Sequence, residues 1–159
     1  MLTSALHHLP TPAHTDALAA RLAPVLQAGD VVLLEGPVGA GKTHFARSFI
    51  RTLCCTAQDV PSPTFTLVQT YTPLRGAAIW HADLYRLGDA SELEELGLLD
   101  AFNTAICLVE WPERLGLSRP SRHLMVQLSP DPSAVEARSA TLRVSGTGWS
   151  HLPTAGAAL

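Results

Sequence analysis

The chain has 159 residues, 47% of them hydrophobic and 16% charged, with a formal net charge of -3. That length suits one domain with a core around a sheet, and the composition excludes a disordered chain. The acidic balance argues against broad binding to nucleic acid through clustered cations, so no DNA partner is expected and any link to RNA should run through another protein.

The apolar runs are too short and too interrupted to cross a bilayer, so no membrane association is expected. The first residues lack a basic stretch followed by an apolar one, and the cysteines are an adjacent pair, Cys54 and Cys55, and Cys107 inside an apolar run. A reducing cytoplasm fits that usage.

In chain order, Thr15 is a candidate cap for a helix whose apolar positions Leu18, Leu22, Val25 and Leu26 share one face. Pro24 should kink or shorten it, and Gly29 should end it. "VVLLE" at 31–35 has the length of a buried strand, and helical periodicity resumes in Phe45, Phe49, Ile50 and Leu53. "FTLVQTYT" (65–72) and "AAIWHAD" (77–83) read as two strands separated by the turn-like "PLRG". In "DASELEELG", Ser91 stands three residues before Glu94, a capping-box spacing that predicts a short helix from near residue 92, faltering at Gly97. "AICLVE" (105–110) is another buried strand, whereas "HLMVQL" (123–128) and "ATLRVS" (140–145) alternate and look nearer an edge. There is no internal repeat. Strands alternating with helices predict a three-layer α/β domain over residues 1–145, with a central mostly parallel but mixed sheet flanked by helices. Residues 146–159 read as a loose tail.

The chain has eleven Lys and Arg residues, and only one of them, Lys42, is lysine. It stands in the sequence Gly36, Pro37, Val38, Gly39, Ala40, Gly41, Lys42, Thr43, a full match to the P-loop pattern G-x-x-x-x-G-K-[ST] between a predicted strand and a predicted helix. Glycines let successive backbone N–H groups turn toward phosphate oxygens, and the helix start adds its positive dipole end. A flexible ammonium suits the β- and γ-phosphates of a nucleotide such as ATP, and the Thr43 hydroxyl suits Mg²⁺.

Such a site needs a carboxylate at the end of a neighbouring buried strand to hold the metal, directly or through water. Glu110 closes the most apolar run and is the first choice; Asp83 closes a weaker one and would orient water or sense the γ-phosphate. Each has a plain alternative as a solvated strand-end acid. Thr64, in "VPSPTFT", is either a switch-loop threonine that reaches metal or γ-phosphate, or an ordinary turn residue. Trp111 follows Glu110 and is either a packing residue or part of the active face. His81 and Cys107 receive no metal assignment, because no ligand-like spacing joins the histidines or cysteines.

With "GPVGAGKT", "SPTFTLVQTY", "HADLYRL", "EELGLLD" and "LVEWPERLG" in this order, the chain closely resembles the TsaE family, formerly YjeE, from about residue 9 to 145. The resemblance implies a P-loop NTPase fold and a small cytoplasmic ATPase needed for threonylcarbamoyladenosine formation beside the anticodon of ANN-decoding tRNAs. It further implies ATP and Mg²⁺ as cofactors, and as partner a heterodimer of the sugar-kinase-like proteins TsaD and TsaB, through which tRNA is reached. By the same resemblance Lys42 and Thr43 are the P-loop pair, Thr64 belongs to a switch-like loop, and Glu110 is the magnesium-linked glutamate. Asp83 and Trp111 match functional family positions, and Arg138 stands near an arginine that would flank the nucleotide. Pro37 replaces a common acidic residue and His44 a frequent threonine. Two other readings stay open: a small-molecule kinase, for which Arg114, Arg119 and Arg122 would have to form a lid, and a nucleotide-dependent interaction module.

Overall fold

The computed structural model describes residues 4–55 and 59–153. Among these, seven strands form one mixed sheet: β1 (Ala5–Leu9), β2 (Val31–Glu35), β3 (Val68–Tyr71), β4 (Ile79–Asp83), β5 (Ile106–Glu110), β6 (His123–Pro130) and β7 (Arg138–Ser145), in the order β1-β7-β6-β2-β5-β4-β3. The inner strands β6, β2, β5 and β4 run parallel, while β7, β1 and β3 each join their neighbours antiparallel.

Side-chain alternation along the strands splits the core in two. Val32, Leu34, Ile79, Leu108 and Val126 face α1 (Pro12–Leu22) and α2 (Lys42–Cys54), meeting Leu18, Leu22, Phe45 and Phe49. Val31, Leu33, Ala82, Cys107 and Val109 face α3 (Ser91–Glu95) and α4 (Leu98–Thr104), meeting Leu93, Leu98 and Phe102. Every residue of β5 is buried, as a parallel strand covered on both faces requires. Removing Phe45 or Phe49 from water contributes about 2–3 kcal/mol each, so α2 is firmly held beneath the loop that precedes it.

Local chemistry displaces several boundaries from their sequence expectations. Helix α1 starts at Pro12 rather than after Thr15: Thr11 is the extended N-cap, and Pro12 takes the first helical position, where a missing N–H is harmless. Its α-helical part stops at Leu22, where the Ala23–Val25 stretch carrying Pro24 tightens to a 3-10 turn. Ser91 is not the cap of α3. Asp89 accepts the Ser91 N–H at 2.9 Å, and Glu92 reaches back to the Asp89 N–H at 3.1 Å, so the reciprocal box is the Asp89–Glu92 pair. Past Gly97, left-handed at φ 76°, a second helix forms where none was expected. In "FTLVQTYT" only Val68–Tyr71 is strand, because Leu67 takes φ 65° and residues 64–66 turn. The strand Ala5–Leu9 was also unforeseen; it covers β7, so β6 and β7 are interior and β1 is the edge.

The expectation of a loose tail is corrected over residues 146–153. Leu152 is buried in the α1/α2 core, and Trp149 packs on that core while its Nε1–H donates to the Ser145 carbonyl at 2.9 Å. The Arg122 guanidinium lies 3.9 Å over the Trp149 ring and donates to the carbonyls of Thr147 and Gly148. One indole and one leucine suffice to anchor a stretch otherwise rich in small and polar residues. The remainder of the expected tail, 154–159, lies outside the described residues.

Candidate nucleotide and metal site

The carboxyl ends of β2, β4 and β5 meet at one rim of the sheet, where open α/β sheets carry their ligands. From the end of β2 the chain enters the loop 36–41. A Cβ at Gly36 would stand 2.4 Å from the Leu128 carbonyl oxygen, so only glycine allows the loop to leave β2 this close to β6. Gly41 caps α2 in the left-handed region at φ 101°, which frees the first amides of α2 to point into the loop.

Lys42 is only 5% exposed. Its Nζ donates to the carbonyls of Gly36 (2.6 Å) and Pro37 (2.9 Å) and lies 4.1 Å from the centre of the Trp111 ring. Burial pushes this ammonium below the ordinary lysine range, against the opposing pull of Glu110, Asp83 and Glu113. Trp111 reaches this position from a left-handed backbone, φ 58°, immediately after β5, and its ring centre is 5.0 Å from that of Tyr85. Two neutral carbonyls and an indole face thus hold the ammonium.

Asp83 and Glu110 are register partners on adjacent parallel strands, and alternation turns both toward α2 with His81 and Leu108. Glu110 accepts from the Thr43 hydroxyl at 2.7 Å with Oε1 and pairs with His81 Nε2 at 2.8 Å with Oε2. Asp83 Oδ2 accepts from Thr64 (3.0 Å) and Ser62 (3.3 Å), and Oδ1 accepts from the Tyr85 N–H (3.1 Å). The Ser62 and Thr64 hydroxyls are themselves 2.7 Å apart. A cavity of about 430 Å³ opens between these groups, lined by Lys42, Thr43, Thr64, Asp83, Glu110 and Trp111 along with Val38, Gly39 and Gly41. That volume falls in the usual range for small-molecule sites. A hydroxyl and a carboxylate oxygen converging on one wall form the sparse, hard donor set that suits Mg²⁺, which keeps waters and phosphate oxygens for its other positions.

The sequence therefore brings Lys42, Thr43, Thr64, Asp83, Glu110 and Trp111 to one wall-to-wall hollow. Other candidate residues have different neighbours. Ala40 is buried beneath the loop in the core, and Gly36 and Pro37 border a second hollow of about 420 Å³ on the β6 side. Arg138 lies at the start of β7 and grips the loop from outside, with Nη2 donating to Gly39 O at 3.0 Å and Nη1 to the carbonyls of Val135 and Ala137. His44 lines the main cavity and sits 2.7 Å from Asp16 of α1. Ser62, Tyr85 and His81 were not anticipated. The period-two rule that places Asp83 toward α2 also places His81 there, and this was the available signal.

Parallel strands feeding a lysine-bearing glycine loop and a helix put the domain in the P-loop class. Within that class the chain belongs to the TsaE family: the family described as "Threonylcarbamoyl adenosine biosynthesis protein TsaE" matches residues 9–139. A relative from Rickettsia conorii, a "tRNA threonylcarbamoyladenosine biosynthesis protein TsaE", is 44% identical over 108 residues, which make up 68% of this chain and 61% of that protein. A Mycobacterium tuberculosis protein of the same description is 40% identical over 128 residues, covering 76% of each chain. The chain thus spans about three-fifths of the Rickettsia conorii relative's length. The crystal structure of YdiB from Bacillus subtilis superposes with a TM-score of 0.72 at 28% identity, over 92% of this chain and 88% of that one. No helix among the described residues is long and apolar enough to cross a membrane.

Proposed function

We propose that this chain binds Mg·ATP in the 430 Å³ cavity, hydrolyses it slowly alone, and through that cycle serves a cytoplasmic TsaD–TsaB complex that forms threonylcarbamoyladenosine beside the anticodon of ANN-decoding tRNAs. The observation that carries the reading is the convergence of the chain's single lysine with the Thr43–Glu110 pair across one cavity. Family membership supports the tRNA-modification role.

In the proposed mechanism the amides of residues 38–43 and the Lys42 ammonium bind the phosphates, Lys42 giving up the Gly36 and Pro37 carbonyls as they enter. Thr43 and Glu110 would hold Mg²⁺, which neutralises charge on the β- and γ-oxygens when bound. Asp83, which already accepts from Thr64 and Ser62, orients the attacking water at the mouth of the site. Among the described residues that line the cavity there is no arginine, so stabilisation of the transferring phosphoryl falls to a partner group or to closure of the 62–66 segment.

A small-molecule kinase is the weaker reading on geometric grounds. Arg114 is tied to the carbonyls of Leu84, Tyr85 and Leu87, and Arg122 is engaged with Asp30 at the opposite end of β2. The test is phosphate release from ATP by the purified chain, with and without TsaD–TsaB. Free phosphate that appears slowly alone and faster with the partners is expected; no turnover in either case, or phosphate appearing on a metabolite acceptor, overturns the proposal.

A further inference from the structure

We propose that His81 is a positioning residue for the metal side of the site, acting through Glu110. This rests on the Mg·ATP reading and adds a residue to which that reading gives no role.

His81 is fully buried in the middle of β4, where its neighbours Ile79 and Ala82 are apolar. Its Nε2 lies 2.8 Å from Glu110 Oε2, while Glu110 Oε1 accepts from Thr43 at 2.7 Å. In the tautomer that pairs with a carboxylate, Nε2 carries the hydrogen and donates it to Oε2. The other nitrogen, Nδ1, has no hydrogen-bond partner among the described residues and no contact with solvent. A position filled for packing alone would take a leucine or valine here and leave nothing unpaired. The imidazole instead spends one nitrogen on a single acceptor, the carboxylate nearest the first threonine of α2.

That contact fixes the plane of the Glu110 carboxyl. With Oε2 held by a ring that cannot move within the core, Oε1 is left pointing at Thr43 and the cavity. A carboxylate that rotated freely would present either oxygen and would have to be ordered each time a cation arrived. The relation inverts the familiar support of a metal-bound histidine by a carboxylate, and loss of such outer partners lowers metal affinity by about 10–100-fold.

Two polar variants separate positioning from packing. His81→Gln sets an amide nitrogen close to the Nε2 location and keeps the donor; His81→Asn sets it near Nδ1 and loses the contact. Binding of a non-hydrolysable ATP analogue is measured by calorimetry in EDTA and across a Mg²⁺ titration, and Mn²⁺ occupancy by electron paramagnetic resonance. For His81→Asn the half-saturating metal concentration should rise about tenfold with analogue affinity in EDTA unchanged. His81→Gln should stay within about threefold of the wild type. His81→Asn with wild-type metal dependence, or both variants losing analogue affinity equally in EDTA, overturns the positioning role alone. A wild-type chain whose analogue binding ignores Mg²⁺ altogether overturns this inference together with the Mg·ATP reading beneath it.

Discussion

The two ends of β2 each bury ionisable groups, and they treat them in opposite ways. At the amino end Asp30, 0% exposed, is met on every side by its own chain: Arg122 at 2.8 Å, His151 at 2.8 Å and the Gln27 amide at 2.9 Å. At the carboxyl end Lys42 rests on two backbone carbonyls and an indole face, with Glu110 and Asp83 near enough to feel its charge but not paired to it. The first arrangement joins β2, the segment before β6 and the residues after β7, and fastens the last of these onto the sheet. The second is held by contacts that a ligand can replace. Burial of a charged group is therefore no guide to function by itself; what separates the two ends is whether the contacts face the packed interior, as around Asp30, or border a cavity, as around Lys42.

This contrast predicts opposite outcomes from cutting each end. Lys42→Ala should lower ATP affinity by at least about 100-fold, the usual scale for losing one partner of a desolvated charge pair. Its unfolding midpoint should be unchanged or slightly higher, since the fold currently shelters an ammonium it disfavours. Isothermal calorimetry and a denaturant melt report the two quantities. Asp30→Ala should do the reverse, losing about 2 kcal/mol of stability, less than the roughly 3–5 of a fully buried pair because Arg122 can regain water. Nucleotide affinity should stay within about twofold, and a large loss there would show that the two ends are coupled.

The smallest effect sharpens the comparison through pH. The Lys42 value is lowered in the folded chain, so between that value and the unfolded one the unfolded state binds more protons, and stability carried by this group rises with pH. Phosphate binding needs the ammonium, so affinity is full below the folded value and falls as pH rises through it. Subtracting Lys42→Ala melts from wild-type melts across alkaline pH should show the first slope, and calorimetry the second, beginning earlier than for an exposed lysine. Parallel slopes would contradict the burial argument.

Much of the carboxyl-end site was legible because its signals are local. The glycine spacing, the lone lysine and the acids that end two apolar runs each lie within a few residues of the element that carries them, and strand alternation then turns Asp83 and Glu110 to a common face. The amino-end cluster was not legible. Asp30 is ninety or more positions from both Arg122 and His151, and only the finished sheet brings them to it. For the same reason Trp149 and Leu152 read as tail residues: their burial depends on a surface built by β6, β7 and α1. The cap of α3 failed differently, since Ser91–Glu94 and Asp89–Glu92 both have the right spacing and only the backbone decides between them.

The fold also sets an unusual chemical selectivity. All surface cations on the side chains are guanidinium groups, and the one side-chain amine among the 159 residues lies beneath the Trp111 indole. An amine-selective acylating reagent therefore has a single side-chain target, and that target lines the cavity. Acylation assigned to the peptide that carries Lys42 would then report an open cavity, and its protection by an added ligand a filled one.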